Sequence, residues 1–146
     1  MNIRRAIAAA ALAAYTAFVL VVTLTPRMPG TGFVGRLVNS VLDALHARGL
    51  FLAVDYSVVE FTANIGMFIP LGVLAALVVR SHWIIVAGPL FSGFIELFQA
   101  NILPTRVGEW RDVLSNSLGF VLGVAVVWMM GSWRSARSLQ KTPKRS

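Results

Sequence analysis

Several polar side chains of this 146-residue chain lie inside long apolar runs of sequence. Asn64 belongs to one run, Glu96 and Gln99 to a second, and Ser115 and Asn116 to a third. A carboxylate or an amide is costly in an apolar environment, so such groups usually face one another, a ligand or water. Amides donate and accept hydrogen bonds, whereas an ionised carboxylate only accepts them. The pattern predicts a polar site between helices.

Charged residues border the same apolar runs. Glu60 and Asp112 stand near the starts of two predicted helices, and Arg106 and Glu109 lie in the loop before Asp112. Guanidinium forks suit phosphates and carboxylates, while Asn and Gln side chains suit sugar or peptide groups. We therefore predict a binding site at one end of the molecule, formed by Glu60, Asn64, Glu96, Gln99, Arg106, Glu109, Asp112 and Asn116.

These residues also have purely structural interpretations. Ser57 and Glu60 have the spacing of a capping box, and Asp112 is an acid favoured at a helix N-terminus. The three amides could form interhelical hydrogen bonds worth about 1 kcal/mol each. Glu96 is the hardest to explain in this way, because a carboxylate among apolar neighbours needs a proton or a cation, and Arg106 is the candidate cation.

Other chemistries have little support in the sequence. The chain has no cysteine, which excludes disulfides, thiolate catalysis and cysteine metal sites. His46 and His82 fall in different loops and opposite halves of the predicted topology, and no acid–base pair or activated nucleophile is evident. Carboxylate-only binding of a divalent ion is weakly supported, so we expect no metal and no cofactor.

The composition places these residues in a membrane protein. Hydrophobic residues make up 57% of the chain and charged residues 13%, with a mean hydropathy of +0.74. One soluble domain of this size cannot bury so many apolar side chains. A bilayer core about 30 Å thick needs roughly 20 helical residues, and the sequence has four runs of that length, at about 6–25, 58–79, 83–102 and 112–131. The predicted fold is all-α, a polytopic four-helix membrane bundle.

The loop after the first span contains a further helix. Phe33, Leu37, Val41 and Leu45 recur every four residues, and Gly49 is a natural stop. We predict an amphipathic helix at the outer membrane interface, with its apolar stripe either in lipid or against the bundle. Pro70-Leu-Gly72 and Gly88-Pro89 are expected to interrupt two spans, whereas Gly119 and Gly123 are expected to serve close helix packing.

The distribution of charge predicts the orientation. One side of the four spans carries eight cations and no acid, namely Arg4, Arg5, Arg80, Arg134, Arg137, Lys141, Lys144 and Arg145. By the positive-inside rule this side is cytoplasmic and holds both termini. We expect a single transmembrane domain at 1–133 and a basic, mobile cytoplasmic tail at 134–146. Because the cations directly follow an apolar helix, membrane lipid is a better partner for them than nucleic acid.

An ordered set of short motifs resembles the VanZ-like membrane proteins. The motifs are Glu60-Phe-Thr-Ala-Asn64 with Pro70 and Gly72, then Ile95-Glu96-Leu-Phe-Gln99, then Arg106 with Glu109 and Asp112, then Asn116 and Gly119. The resemblance implies a bacterial cytoplasmic-membrane protein, and it implies a link to resistance to the glycopeptide teicoplanin. The segment after Arg106 has fewer acids than is usual in the family and an extra cation, Arg111, which argues against a divalent-ion role.

Three functional hypotheses follow. The preferred one is a binding module at the outer leaflet that engages the head of a lipid or of a lipid-linked cell-wall precursor. The second is a membrane-embedded hydrolase or transferase that uses carboxylates as acid or base. The third is a small proton-coupled transport or assembly subunit, for which four helices are few unless the protein forms a homo-oligomer.

Overall fold

The computed structural model describes residues 3–25, 32–79, 81–102 and 109–140, with side chains as far as residue 131. These ranges contain five helices and no strand, so the predicted all-α fold is confirmed. The helices are α1 (Ile3–Leu24), α2 (Gly32–His46), α3 (Tyr56–Val78), α4 (Ile84–Ile102) and α5 (Trp110–Gln140).

Four of the helices are long and apolar enough to cross a membrane: α1, α3, α4 and the part of α5 from Trp110 to Gly131. Their 19 to 23 residues correspond to about 30 Å of helix at roughly 1.5 Å per residue. Because successive spans are antiparallel, α1 and α4 end where α3 and α5 begin. We call this the polar end of the bundle, and the opposite end, which carries Arg4 and Arg5, the basic end.

Helices α3 and α5 form the tightest pair in the bundle. A Cβ atom at Gly119 would collide with the carbonyl oxygen of Ile65, and one at Gly123 would collide with that of Ile69. Gly72 lies equally close to the backbone of Phe120. The two backbones approach because these positions lack side chains, so the predicted packing role of Gly119 and Gly123 is confirmed.

The two proline motifs do not break their spans. Helix α3 continues through Pro70 and α4 continues through Pro89. Each proline removes one backbone donor without ending the helix, because packing against neighbouring helices maintains the spans. Gly88, like Gly72, is buried against Phe120, so both glycines serve packing. The predicted interruptions are therefore wrong.

The start of α3 differs from the predicted capping box. The cap is Asp55, whose carboxylate accepts a hydrogen bond from Ser57 Oγ at 2.8 Å and one from Val58 N at 2.9 Å. These hydrogen bonds, that from Ser57 first, hold the pKa of Asp55 below its ordinary value of 3.8. Since the cap precedes Ser57, Glu60 is beyond the position of a capping-box acid.

The amphipathic helix is present as α2, and its apolar residues face two ways. Gly35 and Leu42 are buried, whereas Phe33, Leu37 and Val41 are at least half exposed. The stripe therefore packs on the protein along one edge and leaves the other edge for surrounding lipid. Its C-terminal turn ends with a positive φ of 72° at Gly49, as expected for a helix stop.

The last helix is longer than its membrane span. Helix α5 continues beyond Gly131 to Gln140, so the first part of the predicted tail is helical and not irregular. Residues 132–140 include no proline and only favourable or neutral helix formers, which explains the extension. Residues 141–146 lie outside the described residues.

Candidate functional site

A small cavity opens at the polar end of the bundle, with a volume of about 50 Å³. All four spans contribute to its walls. We call it the polar cavity, and it is lined by Val22, Thr23, Glu60, Asn64, Met67, Ile95, Glu96, Gln99, Asp112 and Asn116. Six of the eight residues predicted from the sequence therefore lie around one cavity.

Helix α4 directs three polar residues to the interior. Ser92, Glu96 and Gln99 are all buried, at 0%, 8% and 2% exposure, as their spacing on one helix face requires. The carboxylate of Glu96 accepts a hydrogen bond from the backbone N–H of Glu109 at 2.9 Å. This bond fixes the start of α5 against α4 and partly compensates for burial of the carboxylate.

Gln99 joins α4 to α1. Its Nε2 donates to the backbone carbonyl of Thr23 at 2.7 Å, and both groups are buried. The hydroxyl of Thr23 donates to the carbonyl of Val19 in its own helix at 2.8 Å. The amide of Gln99 therefore supplies a partner for a carbonyl in the last turn of α1, where intrahelical donors run out.

Helices α3 and α5 are joined by a polar contact between side chains. Asn64 Nδ2 donates to a carboxylate oxygen of Asp112 at 3.1 Å. Asp112 also lies in the first turn of α5, where a negative charge is favoured by the helix dipole. The helix-start interpretation and the site interpretation of Asp112 are therefore both supported by its position.

Asn116 is deeply buried, as Gln99 is. Its side chain is 2% exposed, and Nδ2 donates to Ser92 Oγ at 3.0 Å. Its Oδ1 atom is buried and has no hydrogen-bond partner within the described part of the chain. Asn116 also lines the polar cavity, so the unsatisfied acceptor belongs to a cavity-lining side chain.

Of the two remaining predicted site residues, only Glu109 is described, and it does not line the cavity. Glu109 is exposed, and its contribution is the backbone N–H that bonds Glu96. Arg106 lies outside the described residues. Arg111 does not line the cavity, and its guanidinium carbon lies 5.9 Å from the centre of the Phe61 ring, a cation–π distance.

The described residues do not form a cluster of metal ligands. No three His, Asp or Glu side chains in these ranges lie together as metal ligands do. His46 lies in α2, with Nε2 3.1 Å from the carbonyl oxygens of both Phe51 and Val54. His82 lies at the basic end, with its ring 5.2 Å from that of Trp128.

Sequence reasoning did not identify the contribution of α1. Thr23 and Val22 line the cavity, and among the described residues Thr23 is the one hydroxyl residue on its wall. A single threonine near the end of an apolar span is common, because its hydroxyl bonds back to its own helix. Only the depth of Thr23, close to the polar end, could have indicated its position.

A comparison with known families identifies the family of the chain. The profile of the family described as VanZ/LLP1 matches residues 8–131, which covers α1 from residue 8 and the other three spans completely. The chain belongs to the VanZ/LLP1 family. Searches of curated proteins and of solved structures found no match. The matched segment of this VanZ/LLP1 chain contains every residue that lines the polar cavity.

Proposed function

We propose that this VanZ/LLP1 protein binds the polar end of a lipid or of a lipid-linked cell-envelope component. The polar cavity would receive this group from the outer leaflet of the bacterial cytoplasmic membrane. The protein then acts as a binding module whose ligand remains mostly in the bilayer. The carboxylates and amides around the cavity would orient the ligand head.

The observation that carries the proposal is the unsatisfied Oδ1 atom of Asn116. A buried acceptor without a partner costs about 1–3 kcal/mol, so a donor placed there stabilises the complex relative to the empty protein. The nearby carboxylates of Glu96 and Asp112 are also acceptors. Together they favour a ligand group that donates hydrogen bonds, such as a hydroxyl or an ammonium.

The size of the cavity limits what can enter. About 50 Å³ accommodates one small polar group or a few waters, since one water needs roughly 10–15 Å³ of such space. A complete sugar or phosphate headgroup does not fit inside. We therefore propose that only the tip of the head enters, while the rest lies at the surface near Arg111.

The charge distribution supports the assignment of this cavity to the outer leaflet. In the topology predicted from the sequence, all six acids lie on or near the side of the membrane that has the polar end. Eight of the 13 cations lie on the opposite side. The positive-inside rule then puts the basic end and both termini in the cytoplasm.

The proposal is tested by the lipids that copurify with the protein. Asn116→Leu replaces the amide by an apolar group of similar volume, so the cavity loses its acceptor. Ser117→Ala is the matched control, because Ser117 Oγ is also buried without a partner among described residues but does not line the cavity. We expect a lipid class enriched with wild type and Ser117→Ala and depleted with Asn116→Leu.

Two other outcomes of this experiment contradict the proposal. If all three proteins carry the same lipid mixture, the cavity does not select a ligand. If Asn116→Leu unfolds while a milder Asn116→Ser variant folds and retains the same lipids, Asn116 serves only helix packing through Ser92. Thermal unfolding of each variant in detergent separates a folding defect from a binding defect.

A link to glycopeptide susceptibility belongs to the same proposal. If the bound component is a lipid-linked cell-wall precursor, its sequestration changes the amount of target for teicoplanin. We expect that producing the wild-type protein raises the minimum inhibitory concentration, and that Asn116→Leu at equal membrane level does not. No difference between cells with and without the wild-type protein would reject this link.

A further inference from the structure

A larger groove lies at the basic end, remote from the polar cavity. It has a volume of about 680 Å³ and runs between α3 and α5. Helix α3 contributes Val73 and Leu77, and α5 contributes Val126 and Met130. The turn before α4 closes its end with Ser81 and His82. We call it the basic-end groove.

We propose that the basic-end groove binds one acyl chain of an anionic phospholipid, whose phosphate lies at Ser81, His82 and Arg5. The occupant belongs to the membrane leaflet on that side, which is the cytoplasmic leaflet under the predicted orientation. The site is separate from the polar cavity and does not depend on the function proposed for it.

The shape of the groove suits a flexible apolar chain. Its volume falls within the range of about 300–1,000 Å³ typical of ligand sites. Leu77 and Val126 line the groove within the membrane-spanning helices, and their side chains are 49% and 40% exposed. The groove therefore opens sideways into the bilayer, from which an acyl chain can enter without crossing water.

Apolar contact alone gives no preference for one lipid, because the surrounding lipid tails are as apolar as the groove. Selectivity must come from the polar mouth. Ser81 supplies a hydroxyl, and the exposed His82 ring lies beside Trp128 at 5.2 Å between ring centres. Tryptophan is favoured at the membrane–water interface, so the mouth lies at headgroup depth.

A guanidinium group contacts the C-terminal end of α3, the helix that contributes Leu77 to the groove. Arg5 Nε donates to the carbonyl of Val78 at 3.2 Å, one residue beyond the groove residue Leu77. Arginine carries four further N–H donors in the same plane, and such forks suit a phosphate. The contact with α3 therefore holds a phosphate-binding group at the end of the groove.

The charges around this end complement an anionic headgroup. None of the six acids of the sequence lies within residues 3–14, 73–91 or 122–146, while Arg4, Arg5, Arg80 and five tail cations do. Clusters of cations directly after a membrane span attract anionic lipids. A zwitterionic lipid has no net charge and would be attracted much less strongly by such a cluster. The charges therefore favour phosphatidylglycerol or another anionic phospholipid.

The test uses photoactivatable lipids in vesicles with the full-length protein. Phosphatidylglycerol and phosphatidylcholine probes, each with a diazirine in one acyl chain, are added in trace amounts to phosphatidylcholine vesicles. Cross-linked residues are mapped by mass spectrometry. We expect the anionic probe to label Leu77, Val126 and Met130 several-fold more than the zwitterionic probe does.

Two variants separate the groove from the general lipid surface. Val126→Trp fills the groove and should abolish the preferential labelling of Leu77. Leu122→Trp is its control, one turn away on α5, with nearly the same exposure (42% against 40%) and outside the groove. Arg5→Gln with His82→Gln leaves the groove open and should reduce the preference for the anionic probe.

Three results would overturn the proposal. Equal labelling by both probes would show ordinary surrounding lipid. Unchanged preference in the double variant that lacks Arg5 and His82 would exclude the proposed phosphate contacts, whatever the behaviour of Val126→Trp. Cross-linking of the groove to a second copy of the chain, with protection from both probes, would assign the groove to a protein interface.

Discussion

At the residue scale, the polar end depends on a few hydrogen bonds between helices. Asn64 bonds Asp112, Gln99 bonds the Thr23 carbonyl, and Glu96 accepts from the Glu109 backbone. Each bond joins elements that are distant in sequence, so none could be derived from local spacing. The residue types were predictable because polar groups are costly in an apolar run. Their pairing required the three-dimensional arrangement of the spans.

The bond between Glu96 and the backbone of Glu109 has a measurable consequence. Glu96→Ala would remove the charged acceptor of the part-buried N–H of Glu109 and should reduce the free energy of unfolding by about 1–3 kcal/mol. Glu96→Gln keeps a carbonyl oxygen at nearly the same place, so it should reduce the free energy of unfolding by less. Unfolding in detergent by chemical denaturant provides the comparison, and equal losses in the two variants would reject this role for the bond.

The cap of α3 predicts a pH dependence. Hydrogen bonds from Ser57 and Val58 lower the pKa of Asp55 in the folded protein relative to the ordinary value of 3.8. The ionised cap therefore contributes stability that is fully present above the unfolded pKa and is lost as the pH falls through the lower folded pKa. Hydrogen exchange should show protection of the Val58 amide above pH 3.8 and a loss of protection in stronger acid.

Asp55→Asn provides the control for this prediction. Asparagine also caps helices but does not titrate. In this variant the protection of the Val58 amide from hydrogen exchange should therefore change little over the same pH range. A similar acid-dependent loss in wild type and variant would show that another group is responsible.

At the element scale, helix existence was predictable and helix detail was not. Long apolar runs indicated four spans, and their bounds agree with the structure to within three residues, except that α5 extends to Gln140. The capping box at Ser57 was wrong because Asp55, two residues earlier, is the better acceptor for the first free N–H groups. The interruptions at Pro70 and Pro89 were wrong because packing against other helices compensates for one missing donor.

The close approach of α3 and α5 predicts a strong difference between glycines. A methyl group at Gly123 would overlap the α3 backbone, so Gly123→Ala should destabilise the protein by about 1–3 kcal/mol or more. Gly66→Ala is the matched control, since a Cβ there meets nothing within 4 Å, and it should be neutral or stabilise α3 by about 0.5–1 kcal/mol. Thermal unfolding of both variants distinguishes these effects, and similar melting temperatures would contradict the packing.

At the scale of the whole molecule, the chain combines a polar end and a basic end on a tightly packed core. Charge counting predicted the two ends, and the structure adds a cavity at one and a groove at the other. Their dimensions could not be predicted, because the cavity depends on how all four spans pack, and the groove on how α3, α5 and the turn before α4 meet. Homo-oligomer formation stays a prediction, as does the role of Arg106, which lies outside the described residues.

The orientation in the membrane is a further prediction at this scale. The chain has no natural cysteine, so single substitutions can report which side a residue faces. Arg48→Cys, after α2, should react with a membrane-impermeant maleimide in intact cells. His82→Cys, at the basic end, should react only after the membrane is permeabilised. The opposite pattern would place the polar cavity in the cytoplasmic leaflet and reject an outer-leaflet ligand.

The central claim is that a hydrogen-bond donor on a membrane component docks against Asn116 inside the polar cavity. The most direct measurement is an experimental structure of the protein in native lipid, at a resolution that resolves ordered waters. We predict density within hydrogen-bond distance of Asn116 Oδ1 that continues out of the cavity into a lipid molecule. Density for water alone, or a protein donor bonded to Asn116 Oδ1, would contradict the claim.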